Sequence, residues 1–535
     1  MKLSLGKFAL DQCDLPTMLD NVAVLLRLVT INIDKNYNKR ISLLVYFIVF
    51  IAAAGYVYIY IFSMFWFVFI RCQETGDFTA AAVVFSLGTN SETCSTKLLF
   101  MVLYKQPTSG PSSPIVRYIS MKLSLGKFAL DQCDLPTMLD NVAVLLRLVT
   151  INIDKNYNKR ISLLVYFIVF IAAAGYVYIY IFSMFWFVFI RCQETGDFTA
   201  AAVVFSLGTN SETCSTKLLF MVLYKDTVQG IVQRYLECDA KVVPGSRFSK
   251  NLSKKLRDIK KRAITVWVML ITIGIAYILR PLILPGRHFT EDLYVIYGLE
   301  PMVATPNYEI ASTFMSITII TGVYILAGVT ALILVIIGYI EAQILTLSDE
   351  MLTLWGDAEE YYHMNIETNG SSSQVNSDDL KAQIMNKFIK NRLKEITTFH
   401  ILDINLLNDF ETVFRVTMAI EFGLIVVGII SELLGGVENT YLELPYTFLQ
   451  IFMDCYIGQK LIDAGSVFEK AVYDCKWENF DKANMKTVSI MLQASQKSLS
   501  LTAGGLVTLD FVCLMSVIKS TYSVYTTLQS TVSEI

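Results

Sequence analysis

The chain has 535 residues, is 54% hydrophobic and 17% charged, and has a mean hydropathy of +0.51. Globular chains carry about 25% charged residues, so the composition excludes an ordinary soluble domain and indicates many membrane spans. The net charge of −3 excludes little, because in membrane proteins the position of Lys and Arg carries the information.

The opening MKLSLGKFALDQ is too short and too polar for the apolar region of a signal peptide. Residues 1–105 recur without change as residues 121–225. Old structural repeats drift in sequence, so an identical copy points to a duplicated exon or a faulty gene model, with a real extra helical hairpin as the alternative. Between the copies, residues 106–120 read as a Pro/Ser-rich linker. Residues 121–535 are therefore expected to be the working unit.

Seven apolar segments follow in that unit, at 161–190, 197–223, 264–284, 310–340, 413–434, 444–462 and 501–529. Each is near the ~20 residues that cross a bilayer. The second is the weakest, with Glu212 and Lys217 inside it. The loops before the first span and after the second, fourth and sixth hold 27 Lys and Arg, against 2 in the loops of the other side. The basic side is expected in the cytoplasm. This puts the N-terminus inside and, after seven crossings, the C-terminus outside, which is the inverse of a G-protein-coupled receptor. The run KKLRDIKKR reads as an orientation signal near anionic lipid rather than a nucleic-acid site. Asn251 and Asn369 head sequons in loops assigned to the cytoplasm, so no glycan is expected.

Several polar residues stand out. Glu421 lies within the fifth span, and an intramembrane acid is a functional candidate by default; a structural pairing with Arg415 is the equal alternative. Asp454 is similar. Around the polar loop NIETNGSSSQVNSDD the flanks are amphipathic, and His400 reads as a packed residue of a helical anchor rather than a metal ligand. The ten Cys form no C-x-x-C, so no metal site or cofactor is expected. Without G-x-S-x-G, G-x-x-x-x-G-K-[ST] or H-E-x-x-H, no enzyme is expected either.

The last span raises its own question. Ser516, Lys519, Ser523, Thr526 and Ser530 are spaced 3, 4, 3 and 4 apart, which places them on one helix face. Against lipid such a stripe is costly; against water or a neighbouring helix it is useful.

The run KSLSLTAGGLVTLDFVCLMSVIKSTYSVYTTLQ (497–529) resembles the signature last segment of the insect odorant receptors. Upstream, LQIFMDCYIGQKLIDAGSVFEKAVYDCKWENF is similar to their sixth span, with Cys455, Gly458, Ala471, Tyr473 and Trp477 in place, and LKEITTFHILDINLLNDFETVF resembles the entry to their fifth. The Ala-Gly-Gly wording is most like moth receptors. The exact repeat departs from the family.

The resemblance implies an all-α, seven-spanning bundle and an odorant-specific subunit of a ligand-gated non-selective cation channel. It implies a hetero-tetramer with a shared co-receptor in the plasma membrane of olfactory sensory neurons, contacting lipid and no nucleic acid. The pore would be lined by Tyr522, Ser523, Thr526 and Gln529, with Thr526 where a more apolar side chain is common. The ligand would be a small volatile apolar molecule held among spans two, three, four and six, where Phe205, Tyr277, Phe314, Met315, Tyr446 and Phe448 fit. A seven-helix receptor or transporter without a pore in this subunit is the alternative.

Overall fold

The computed structural model describes residues 133–154, 161, 163–369, 377–497 and 499–533. The expected duplicate (1–105) and linker (106–120) lie outside the described residues.

Helix α1, Leu135–Arg147, opens on a capped turn: Asp134 accepts a hydrogen bond from the Thr137 amide at 3.1 Å, and a proline occupies the first turn. Its buried stripe of Leu135, Met138, Val142 and Leu146 holds it to the bundle. Helix α2, residues 163–195, starts as an α-helix over Leu163–Tyr176 and contains π-helical turns at Val177–Ser183 and Phe187–Arg191. It is followed by α3 (Phe198–Leu223), α4 (Lys225–Asp239) and α5 (Arg247–Ile283). Helix α6, Asn307–Asn369, and α7, Ser377–Leu434, are the longest. Then come α8 (Glu443–Tyr473), α9 (Lys482–Ser495), a hairpin of two-residue strands β1 (Thr502–Ala503) and β2 (Val507–Thr508), and α10 (Phe511–Ser533).

Helix α6 is the axle. Residues 325–344 are buried without a break, as expected for a helix apolar all round in a molecular interior. Helices α1, α2, α3, α5, α7 and α8 pack on it. Close approach depends on glycine: a Cβ at Gly338 would lie 2.6 Å from Ile259 of α5, and one at Gly274 2.7 Å from Val323.

Among the described residues a helix lies over most of each of the seven expected segments. Among the described residues, four of them, α2, α5, α6 and α7, are long and apolar enough to cross a membrane. The others differ for a physical reason. Helices α3 and α8 carry polar residues turned onto neighbouring helices, and α10 carries the polar stripe. The last segment also differs at its start. Residues 501–509 are not helical but form the hairpin, because Gly504 and Gly505 hold φ of +67° and +75°, a left-handed pair that glycine adopts without strain. The hairpin is clipped to α7. Glu411 accepts from the Thr502 amide (2.6 Å) and hydroxyl (2.7 Å), and the Gly504 amide donates to the Arg415 carbonyl at 2.9 Å.

Beyond the apolar segments, at the basic end, ion pairs join the long helices. Glu350 of α6 is 1% exposed and receives Arg247 of α5 at 2.6 Å and Arg392 of α7 at 2.5 Å. Burial works against its charge, but the two guanidiniums outweigh burial and hold its carboxyl below the usual range. Part of the KKLRDIKKR cluster is used in the same way: Lys255 pairs with Asp349 at 2.9 Å and Arg262 with Glu341 at 2.8 Å.

Candidate functional site

The polar residues of α3 follow a helical repeat, Ser206, Asn210, Thr213 and Lys217, spaced 4, 3 and 4. In an apolar bundle each must find a partner, and each does so on α7 or α8. The Ser206 hydroxyl donates to Glu443 Oε2 at 3.0 Å, Asn210 Nδ2 to Glu432 Oε1 at 2.9 Å, and the Thr213 hydroxyl to Gln450 Oε1 at 3.3 Å. Lys217 Nζ lies 2.6 Å from Glu421 Oε1, with both side chains 2–3% exposed, and donates to the Thr330 hydroxyl at 3.1 Å. Glu421 is thus paired with Lys217, not Arg415; the seam of α3 faces it, whereas Arg415 lies by the hairpin. Asp454 of α8 is buried beside the same lysine.

Next to this seam is a cavity of about 170 Å³. Its wall comes from α2 (Ala172, Ala173, Tyr176, Tyr180), α3 (Leu207, Cys214), α5 (Ile273, Tyr277), α6 (Ile319, Val323) and α8 (Glu443, Tyr446), among others. Most polar groups of the wall are already engaged. Tyr277 donates to Glu443 Oε1 at 3.0 Å. Tyr176 Oη lies 3.0 Å from Ser215 Oγ, which donates to Glu212 Oε2 at 2.8 Å. Ser211 and Thr318 donate to backbone carbonyls, each at 2.8 Å. What remains facing inward is chiefly apolar, the character of a small-molecule site.

Of the residues expected to bind ligand, Tyr277 and Tyr446 are in this wall. Phe314 instead packs against Gly175, fitting α2 to α6. Met315 lines a smaller hollow of about 70 Å³ between α5 and α6. Phe448 is 41% exposed and stacks on Phe452. Phe205 is half-buried outside the cavity wall. Helix α2 was not among the expected walls. Its small residues Ala172, Ala173 and Gly175 admit close packing, and its π-turn, a local distortion frequent at functional sites, follows Tyr176 and contains Tyr180. The sequence signal missed here is the polar repeat of α3, which marks the helix that the site is built on.

In α10, Cys513, Leu514, Val517 and Thr521 are buried, and the helix packs on α7 and α8. Ser516, Lys519, Ser523, Thr526 and Ser530 are all exposed, as are Tyr522, at 63%, and Gln529. The stripe therefore faces away from its own subunit. Thr526 and Thr527 both donate to the Ser523 carbonyl at 2.9 Å.

His400, in the part of α7 before the apolar segment, lies against Phe468 with ring centroids 4.5 Å apart, and burial pulls its imidazole down to about 4. Asp403, one turn on, is fully buried with neither carboxylate oxygen hydrogen-bonded among the described residues, and burial pushes its carboxyl well up. Among the described residues no group of three or more His, Cys, Asp or Glu is placed to hold a metal ion.

Helices long and apolar enough to cross a membrane surround an apolar chamber, the build of a helical membrane protein. Residues 444–522 match the family model described as 7tm Odorant receptor. The fold is similar to that of the insect olfactory receptor OR5 from Machilis hrabei, with a TM-score of 0.57 at 14% identity over 73% of this chain and 97% of that one. The same receptor in complex with eugenol gives a TM-score of 0.57 at 12% identity over 74% and 98%. No curated protein matches the sequence. The chain is thus similar to insect olfactory receptors in fold and, over residues 444–522, to the odorant receptor family model in sequence.

Proposed function

We propose that the chain is an odorant-specific subunit of a ligand-gated, non-selective cation channel. It takes a small volatile molecule into the cavity between α2, α3, α5, α6 and α8 and works in a hetero-tetramer with a shared co-receptor. The observation that carries this reading is the cavity itself: about 170 Å³ of mainly apolar space inside a fold similar to that of an olfactory receptor whose structure is in complex with eugenol. An engineered cavity of about 150 Å³ admits benzene, so the volume suits one ring or a short aliphatic chain. Binding would come mainly from apolar burial, at ~25 cal/mol per Å².

Seven crossings, a cytoplasmic N-terminus and an extracellular C-terminus belong to the same reading and are supported by the charge distribution. So does a pore lined by Tyr522, Ser523, Thr526 and Gln529, supported by the exposure of that face. The test is odorant-evoked current with the co-receptor present. Ala173→Phe, which fills the cavity, should abolish the response or shift its potency at normal surface levels. An unchanged dose–response curve would refute the cavity as the odorant site.

A further inference from the structure

Tyr446 differs from Tyr277, Ser211 and Thr318 in the same wall, whose hydroxyls each donate to a carboxylate or carbonyl oxygen. Tyr446 is 8% exposed, reaches the cavity from α8, and its Oη has no oxygen or nitrogen partner among the described residues. The Cys214 thiol makes a hydrogen-bonding contact with that Oη, a weak one, because the thiol itself is directed at the Asn210 carbonyl, 3.6 Å away, and sulfur accepts only weakly. Tyr277 spends its proton on Glu443 and Ser211 on a backbone carbonyl. A buried donor left without a good acceptor is costly. The wall thus offers an unsatisfied donor to whatever occupies an otherwise apolar chamber.

We propose that Tyr446 is a specificity-determining residue, and that the ligand is a small apolar molecule with an accepting oxygen: a ketone, aldehyde, ester, ether or alcohol. This rests on the cavity being the odorant site. A pure hydrocarbon would leave the hydroxyl unpaired, and an ammonium has no lone pair to accept its proton. Sites built to hydrogen-bond a ligand discriminate against the analogue that lacks the partner atom.

The experiment is calorimetric titration of the purified full chain in lipid nanodiscs. The probes are methyl ketones, aldehydes, acetate esters and primary alcohols, each beside a hydrocarbon of equal heavy-atom count. The best oxygenated probe should bind about tenfold tighter than its hydrocarbon, or about 1.4 kcal/mol. Tyr446→Phe should erase that gap and leave hydrocarbon affinity within about twofold of wild type. Because Oη has at most a weak thiol contact and a buried donor without a good acceptor is costly, this variant should unfold at or above the wild-type temperature, which checks that it is intact. No gap in the wild-type protein, or a gap that survives Tyr446→Phe, overturns the proposal. Ala173→Phe separates the two readings. If it abolishes binding while the gap survives Tyr446→Phe, only the donor role fails. If it leaves binding untouched, the cavity is not the site and both readings fail.

Discussion

His400 shows what one buried side chain does to pH response. Its imidazole, 4% exposed, titrates at about 4 because burial disfavours the charged form, against about 6.5 in an unfolded chain. The folded value is the lower one, so the stability it contributes is present above pH ~6.5 and lost as pH falls through the folded value. Acidification across that window should cost on the order of 3 kcal/mol at this site. His400→Phe should remove most of that loss, read as unfolding temperature against pH in detergent. A wild-type acid profile in the variant would show that the site does not titrate as described. The sequence indicated a packed histidine here, because His400 shares a helical stripe with Leu393 and Ile396. It did not indicate Asp403 as buried: a carboxylate three residues on reads as solvated, and only the fold brings other helices over it.

At the scale of elements, two contacts hold the working parts together. The Lys217–Glu421 pair joins α3 to α7 at 2.6 Å. Lys217→Met would leave two buried acids, Glu421 and Asp454, without their cation. Breaking such a pair costs about 3–5 kcal/mol, so surface expression should fall sharply. Lys217→Met with Glu421→Gln should recover part of it, and no recovery would mean that the pair is not what fails. The second contact joins α8 to the entry of α10. A Cβ at Gly458 would lie 1.9 Å from the Leu509 carbonyl oxygen, a backbone atom with little freedom to move. Gly458→Ala should displace the lead-in to α10 and impair gating more than ligand binding. Equal losses in both measurements would place the damage elsewhere. The long apolar helices were legible because α2, α5, α6 and α7 are continuous in hydropathy. The polar seam of α3 was not, since its residues read as defects until α7 and α8 are seen to pair with them. The hairpin was half legible: two successive glycines disfavour a helix, but the clasp from Glu411 depends on tertiary contact.

For the whole molecule, we propose residues 121–535 as the working unit. One bundle has a single place for the first hairpin, and two identical copies cannot both fill it. A chain beginning at Met121 should therefore give odorant-evoked current equal to that of the full chain; loss of current at normal surface levels would give the first copy a role. The central claim is that α10 lines an ion pathway, with Thr526 and Gln529 at its outer part. The most direct measurement is the reversal potential in mixed cations for Thr526→Val and Gln529→Arg, beside surface labelling. Gln529→Arg puts a positive charge at the mouth and should reduce cation current, less so at high salt because exposed charges are screened. Thr526→Val should make the constriction drier and favour the closed state. The account predicts altered permeation at unchanged odorant potency. Unchanged selectivity and single-channel conductance in both variants, at normal surface levels, would contradict it.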